Sequence, residues 1–367
     1  MAEIVPAVRA PERYDRKAHR YDAVLVVSFG GPEGPEDVMP FLGNVLAGLK
    51  LPPPAIKGIA RRYEAFGGVS PINRHTRDFV AALQNELYTH GLDLPVYLGN
   101  RNWHPYLSDI ITRMRADGIE RAAAFVTSVF SSYSGCRRYR EDLYGATAAV
   151  AGAPQIDKLR YGYNHPGFIA AVSARLSDAF ARIPADRRAA TPLVFTAHSL
   201  PESMAAHAPY QAQLREAAGL AAAALGHERW ELAYQSNNAS YGEPWLAPRL
   251  EDLLEQRAKE GVEDIVVAPI GFVCDHMEVV LDLDVDAQKI AKQAGINMLR
   301  AATVGSHPAY VAMVRELIEE RITPSRERRA LGQYGPSHDF CAPDCCLSGR
   351  SGAPQPSLCS APSAVEA

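Results

Sequence analysis

Residues 23–29 read AVLVVSF, an uncharged, valine-rich run that ends against Gly30-Gly31-Pro32-Glu33-Gly34. A run apolar at successive rather than alternate positions predicts a strand covered on both faces. Comparable runs at 95–99 (PVYLG), 122–130 (AAAFVTSVF) and 157–161 (DKLRY) complete a first set of four. A second set lies at 193–197 (LVFTA), 231–235 (ELAYQ), 264–269 (DIVVAP) and 297–301 (NMLRA). Helical patterns separate them, over 76–90, 106–117, 167–183, 210–225, 249–260 and 308–321. Strands alternating with helices of this length predict an α/β chain with parallel sheets, and two sets of four predict two similar doubly wound halves. The halves join near 182–191, and beyond Thr323 the chain turns polar and rich in Gly, Pro and Ser. The expected division is an arm over 1–19, domains over 20–182 and 183–323, and a Cys-containing tail over 324–367.

The 367 residues leave room for two domains, and 47% hydrophobic with 22% charged residues excludes a wholly disordered or collagen-like chain. With 38 basic and 42 acidic residues the net charge is −4, so there is no uniform basic field to displace counterions and no nucleic-acid partner is expected. The longest uncharged apolar run, 217–225, falls well short of the roughly 18 residues of a membrane span. The N-terminus has no signal-peptide core either, so a cytoplasmic location is expected. Of six cysteines, Cys341, Cys345, Cys346 and Cys359 crowd the end of the chain. Disulfide scaffolds spread their cysteines, whereas clustering in a large cytosolic chain favours metal or cluster binding.

Doubly wound sheets bind ligands beyond the carboxyl ends of their strands, so the segments just after the strands carry the functional reading. The first, Gly30–Gly34, is a poor dinucleotide loop, because Pro32 replaces the second glycine of G-x-G-x-x-G and acids follow. A tight turn leading into a helix suits it better. His198 ends the run LVFTA. Ser199 beside it lacks the G-x-S-x-G context of a hydrolase nucleophile and directly follows its would-be base. In the segment from Asp275 to Asp286, Glu278, Asp282 and Asp286 recur every four residues and predict an acidic row on a helix. No basic residue between His276 and Lys289 relieves it, and interleaved valines and leucines suggest burial. An uncompensated, partly buried row is costly unless it handles cations or protons, and carboxylates with one imidazole suit transient divalent metal. Arg61-Arg62-Tyr63, closed by Gly67-Gly68, reads either as a capped helix end or as a contact for a flat, carboxylate-bearing ligand. The tail's Cys341-x3-Cys345-Cys346 is not a zinc-ribbon spacing. Cys136, just after a strand, is an available fourth thiolate for an iron–sulfur cluster, and Cys274 reads as a buried, inert thiol.

In order along the chain, FGGP (29–32), RYEAFGGVSPI (62–72), the Ser/Tyr-rich stretch 131–139, TAHSLPE (196–202), QSNNASYGEPWL (235–246) and FVCDHMEVVLDLD (272–284) resemble the ferrochelatases. These enzymes insert ferrous iron into a porphyrin, and the resemblance runs from about Tyr21 to Ile322. The alanine-rich chain with a cysteine-bearing end is most similar to the actinobacterial branch, which acts on coproporphyrin III and carries a [2Fe-2S] cluster. The resemblance implies two Rossmann-like domains with a porphyrin cleft between them. It implies His198 and Glu278 as catalytic and metal-side residues, and Asp282 and Asp286 as further members of the metal or proton row. It also implies Arg62, Tyr63, Ser70 and Tyr139 as porphyrin contacts. Phe29 departs from members with an iron-ligating tyrosine at that place and cannot ligate iron. The tail also departs from the animal cluster motif, so Cys136, Cys341, Cys345 and Cys346 are the expected cluster ligands, with Cys359 able to replace one.

Insertion must remove two pyrrole protons and deliver a dehydrated divalent ion, tasks for an imidazole and a carboxylate. His198 and Glu278 are expected to confront one another across a crevice wide enough for a tetrapyrrole disc. The expected product is Fe-coproporphyrin III (coprohaem) in haem biosynthesis, with contacts to enzymes of that pathway possible. Insertion into protoporphyrin IX, a non-catalytic haem or tetrapyrrole carrier, and a Ser199–His198 hydrolase remain as alternatives.

Overall fold

The computed structural model describes residues 19–48, 51–237, 242–350 and 353–358. Cys359, and all of the expected N-terminal arm before His19, lie outside the described residues.

The two strand sets form two parallel four-stranded sheets. Strands β1 (Ala23–Ser28), β2 (Val96–Asn100), β3 (Arg121–Val126) and β4 (Gln155–Lys158) are ordered β2-β1-β3-β4. Strands β5 (Leu193–His198), β6 (Trp230–Gln235), β7 (Asp264–Ala268) and β8 (Asn297–Arg300) repeat that order as β6-β5-β7-β8. Every residue of β1 and of β7 is buried, which is why both read as unbroken apolar runs. The α/β class and the paired doubly wound sheets expected from sequence are therefore found. In each sheet the chain first winds to one side of the founding strand and then to the other. The switch points fall between β1 and β3 and between β5 and β7.

Two strands differ from their expected ranges by more than one residue. The run 122–130 leaves the sheet after Val126, because Thr127–Phe130 turn into a cavity between the halves. The fourth strand begins at Gln155, opposite Arg121, two residues before the expected start.

The helix Pro308–Ile322 follows β8 in sequence, yet it packs on the helices Ile72–Thr89 and Pro166–Phe180. The former also packs on β2 and the latter on β7, so these helices tie the two sheets together. One contiguous apolar cluster accordingly runs from Val24 and Phe125 in the first sheet to Phe195 and Val266 in the second.

The chain beyond Thr323 corrects its compositional reading as a tail outside the core. Its described part has no helix or strand, yet Cys341, Cys345 and Cys346 are buried within that same apolar cluster. Two buried arginines hold it. Arg137 donates to the carbonyls of Pro343, Cys345 and Gln355, and Arg140 to the Leu358 carbonyl and Ser357 Oγ. Polar composition misled because the tail is anchored by charge-assisted hydrogen bonds to its backbone, for which its own side chains give no signal.

Candidate active site

Both switch points open on one cavity of about 440 Å3, within the roughly 300–1,000 Å3 range of small-molecule and cofactor sites. From the first half, Phe29 and Gly30 follow β1, and Thr127, Ser128, Ser132 and Ser134 follow β3. The Gly30 turn has φ +78°, and a Cβ there would meet Asn100 Cβ at 2.9 Å. Tyr63, in the last turn of the helix Pro53–Glu64, and Ser70, in its connection to the helix Ile72–Thr89, reach the cavity. That connection is clamped to the β1 loop: Ser70 N donates to the Pro32 carbonyl (2.8 Å) and Asn73 Nδ2 to the Gly31 carbonyl (2.7 Å). Tyr63 also packs on Phe41, with ring centroids 5.9 Å apart. Its hydroxyl is pushed above its ordinary pKa, first by burial and then by the charge of Glu278. Tyr139 is buried, with the Arg101 guanidinium 4.5 Å from its ring centroid. None of the described lining residues is Lys or Arg, so hydroxyls supply much of the polar lining.

From the second half come His198, ending β5, and residues 271–274 and 276–278 after β7. His198 Nδ1 makes a short hydrogen bond to the Ser199 carbonyl. With Nδ1–H committed as donor, the neutral ring carries its lone pair on Nε2. Nε2 lies 3.7 Å from Glu278 Oε2, and both residues line the cavity. That separation corrects one expectation. A ring sandwiched between them would need about twice the 3.5–4.0 Å of carbon contact distance, so His198 and Glu278 do not flank a disc. They stand side by side, close to the roughly 3–3.5 Å that separates donors bonded to one ion at 2.0–2.2 Å. Ser199 is buried, its Oγ donating to the Leu246 carbonyl at 2.9 Å, which removes it as a nucleophile for this cavity.

His276, the imidazole of the Asp275–Asp286 segment, was not among the expected site residues. It lines the cavity two residues before Glu278, edge-on to Phe272, and burial lowers its pKa. The short D-H-x-E spacing was the available signal. Cys274 matches its reading as an inert thiol: it is buried, and burial pushes its pKa up to about 12.

Asp282 and Asp286 continue away from Glu278 along a helical segment whose middle, Val280–Ala287, is a π-helix. A π-turn is wider than an α-turn and tends to occur at functional sites. The row is partly compensated, contrary to expectation, because its partner comes from the other half of the chain. Arg62 Nη2 lies 3.2 Å from Asp282 and 2.8 Å from Asp286, and it is absent from the cavity lining. Ser236, in the left-handed region at φ +58°, makes a short hydrogen bond to the other Asp282 oxygen. Burial raises the Asp282 pKa; the Ser236 hydrogen bond opposes that shift and Glu278 adds to it.

The four cysteines expected as cluster ligands converge on the far side of the turn 133–137. All four are buried and none forms a disulfide. Cys345 and Cys346 Sγ are 3.5 Å apart, and the thiols of Cys341 and Cys346 neighbour that of Cys136. Those neighbours, with the charges of Lys158 and Arg140, hold Cys136 well below the usual thiol range. His338, which the sequence reading missed, stands with Cys341 and Cys345 in a group whose ligand atoms lie within 4.8 Å of one another.

Two doubly wound sheets sharing a cavity with an imidazole–carboxylate pair in its wall define a protein of the chelatase fold. The solved structure of SirB from Bacillus subtilis with Fe3+ has that fold (TM-score 0.53, 12% identity, 82% of this chain and 97% of that one). The sequence matches the Ferrochelatase family over residues 21–322. It is 49% identical to a ferrochelatase from Rhodopirellula baltica, over 89% of this chain and 93% of that protein. It is 46% identical to a coproporphyrin III ferrochelatase from Streptomyces griseus (89% and 93%) and 49% identical to one from Frankia alni (90% and 87%). The chain belongs to the ferrochelatase family.

Proposed function

We propose that this chain inserts Fe2+ into coproporphyrin III, with His198 and Glu278 as the catalytic pair. The observation that carries the reading is the 3.7 Å approach of His198 Nε2 to Glu278 in the wall of the shared cavity. The Nε2 lone pair and the carboxylate can hold the incoming ion together. They can then accept the two protons that leave the pyrrole nitrogens, so that Fe2+ enters as two H+ depart. Acting as neighbours, they serve one face of the ring. Asp282 and Asp286 extend the path between the pair and solvent. Tyr63, Ser70 and Tyr139 hold the ring and its carboxylates, beside the hydroxyls of Thr127, Ser128, Ser132 and Ser134. A rigid, largely apolar wall favours a distorted macrocycle, which lowers the barrier to metal entry. Coproporphyrin III is preferred as substrate because relatives covering most of the chain bear that name. Among the described residues no helix is long and apolar enough to cross a membrane.

Four buried, unbridged thiols beside Arg140 and Lys158 fit a [2Fe-2S] cluster, whose four thiolates need compensating charge. Cys136, Cys341, Cys345 and Cys346 would hold it. Such a cluster supplies a one-electron couple when bound. Purified protein should show visible iron–sulfur absorption that Cys341→Ser removes; a colourless, zinc-containing preparation would count against the cluster.

The function is tested by anaerobic incubation with Fe2+ and either coproporphyrin III or protoporphyrin IX, followed by absorbance. Faster metallation of coproporphyrin III is expected. Preference for protoporphyrin IX would reassign the substrate, and metallation of neither would leave a carrier.

A further inference from the structure

The acidic row already carries a cation. Arg62 belongs to the helix Pro53–Glu64 and reaches across 220 sequence positions to Asp282. Its Nη2 bridges Asp282 Oδ1 and Asp286 Oδ2. Ser236 holds Asp282 by Oδ2, so Oδ1 is the oxygen left for an exchangeable partner. Exposure rises outward along these two acids, from 13% for the Asp282 side chain to 52% for Asp286. Arg62 therefore sits where an ion arriving from solvent meets the row.

We propose that Arg62 is the resident counter-ion of the acidic row, a positioning residue exchanged for the divalent substrate ion as that ion moves towards Glu278. This rests on the row being the metal path, as proposed above, and identifies what occupies the path before metal arrives. A guanidinium stays protonated at working pH, so it leaves by displacement and not by titration. Displacement is easy, because the Arg62 side chain is 48% exposed and solvent screens an ion pair so placed. A divalent ion brings twice the charge to the same two carboxylates, whereas a monovalent ion gains nothing over the guanidinium. The row would thus stay half-compensated at rest, one positive charge against two carboxylates, and still select for divalent metal. Arg300 is the contrast. It pairs with Asp284 and Asp275 and is only 16% exposed, so those acids are closed off from the path.

The test is Mn2+ binding to the porphyrin-free full chain, followed by electron paramagnetic resonance; Mn2+ favours carboxylate oxygens over the tail's thiolates. Arg62→Gln should bind Mn2+ about two- to fivefold more tightly than wild type, the range an exposed pair allows. A gain is informative because structural damage would weaken binding. Adding Asp282→Asn and Asp286→Asn to Arg62→Gln should abolish the gain. If Arg62→Gln binds no better than wild type while the triple variant binds worse, the counter-ion role is wrong and the metal path stands. If the triple variant binds as well as Arg62→Gln, the path itself is wrong and this proposal goes with it.

Discussion

His198 has one ring nitrogen fixed to the Ser199 carbonyl and the other 3.7 Å from Glu278, so replacing it removes a proton acceptor and a metal donor together. His198→Ala should slow insertion by roughly 10²–10⁴-fold, the usual worth of a positioned acid–base group. Porphyrin binding, followed by the Soret shift, should stay near wild type, because the other lining residues remain. Unchanged turnover would remove His198 from the chemistry. Asp282 makes a different prediction, about stability. Its pKa is raised in the fold by burial, so between its ordinary value of 3.8 and the raised one the folded state holds the extra proton. The sign of the linkage then makes its contribution full below the ordinary value and lost as pH rises through the folded value. Asp282→Asn escapes that loss, so urea unfolding should find its advantage over wild type larger at pH 7 than at pH 4. An equal advantage at both would contradict it. At this scale the sequence exposed His198 and Glu278 through strand-end position and acidic spacing. It could not reveal that Arg62 answers Asp282 and Asp286, since that pairing exists only once the halves pack.

At the scale of elements, the sheets were legible and the π-helix was not. Buried parallel strands leave an unbroken apolar run that sequence displays, as β1 and β7 do. A row of acids at intervals of four reads the same whether the turn is α or π, because the difference lies in which backbone carbonyl is bonded. The connection that follows Tyr63 and carries Ser70 offers a sharper test. Gly68 has φ +71°, and a Cβ there would stand 2.5 Å from Pro35 Cα, which is backbone and cannot swing aside. Gly68→Ala should therefore lower stability by about 1–3 kcal/mol through strain and clash. It should also raise KM for porphyrin, because Tyr63 and Ser70 shift with the loop. A melting temperature and KM both at wild-type values would show that the clamp is not what positions them.

For the whole molecule, the C-terminal segment was the least legible part, since its polar composition hides how it is held. Along its length it joins elements far apart in the chain. Glu216, on the helix Tyr210–Ala224, accepts from Tyr163 Oη (3.0 Å) and from the backbone of Gln333 (2.6 Å) and Tyr334 (3.3 Å). Arg137 and Arg140, on the turn and helix after β3, grip residues 343–358 through the bonds described above. The segment thus spans both sheets' helices and covers the turn that offers Ser134 and Gly135 to the cavity and Cys136 to the thiol cluster. A chain ended at Thr323 loses this brace and strips two buried arginines of their hydrogen bonds to the segment, while Arg137 keeps its ion pair with Glu141. Charge-assisted hydrogen bonds contribute roughly 1.5–3 kcal/mol each, and losing even two should lower Tm by on the order of 10 °C. Calorimetry on the truncated and full chains checks this, with Arg137→Ala in the full chain as the milder version that should lie between them. A truncated chain that melts with wild type would mean that the segment rests on the body without bracing it.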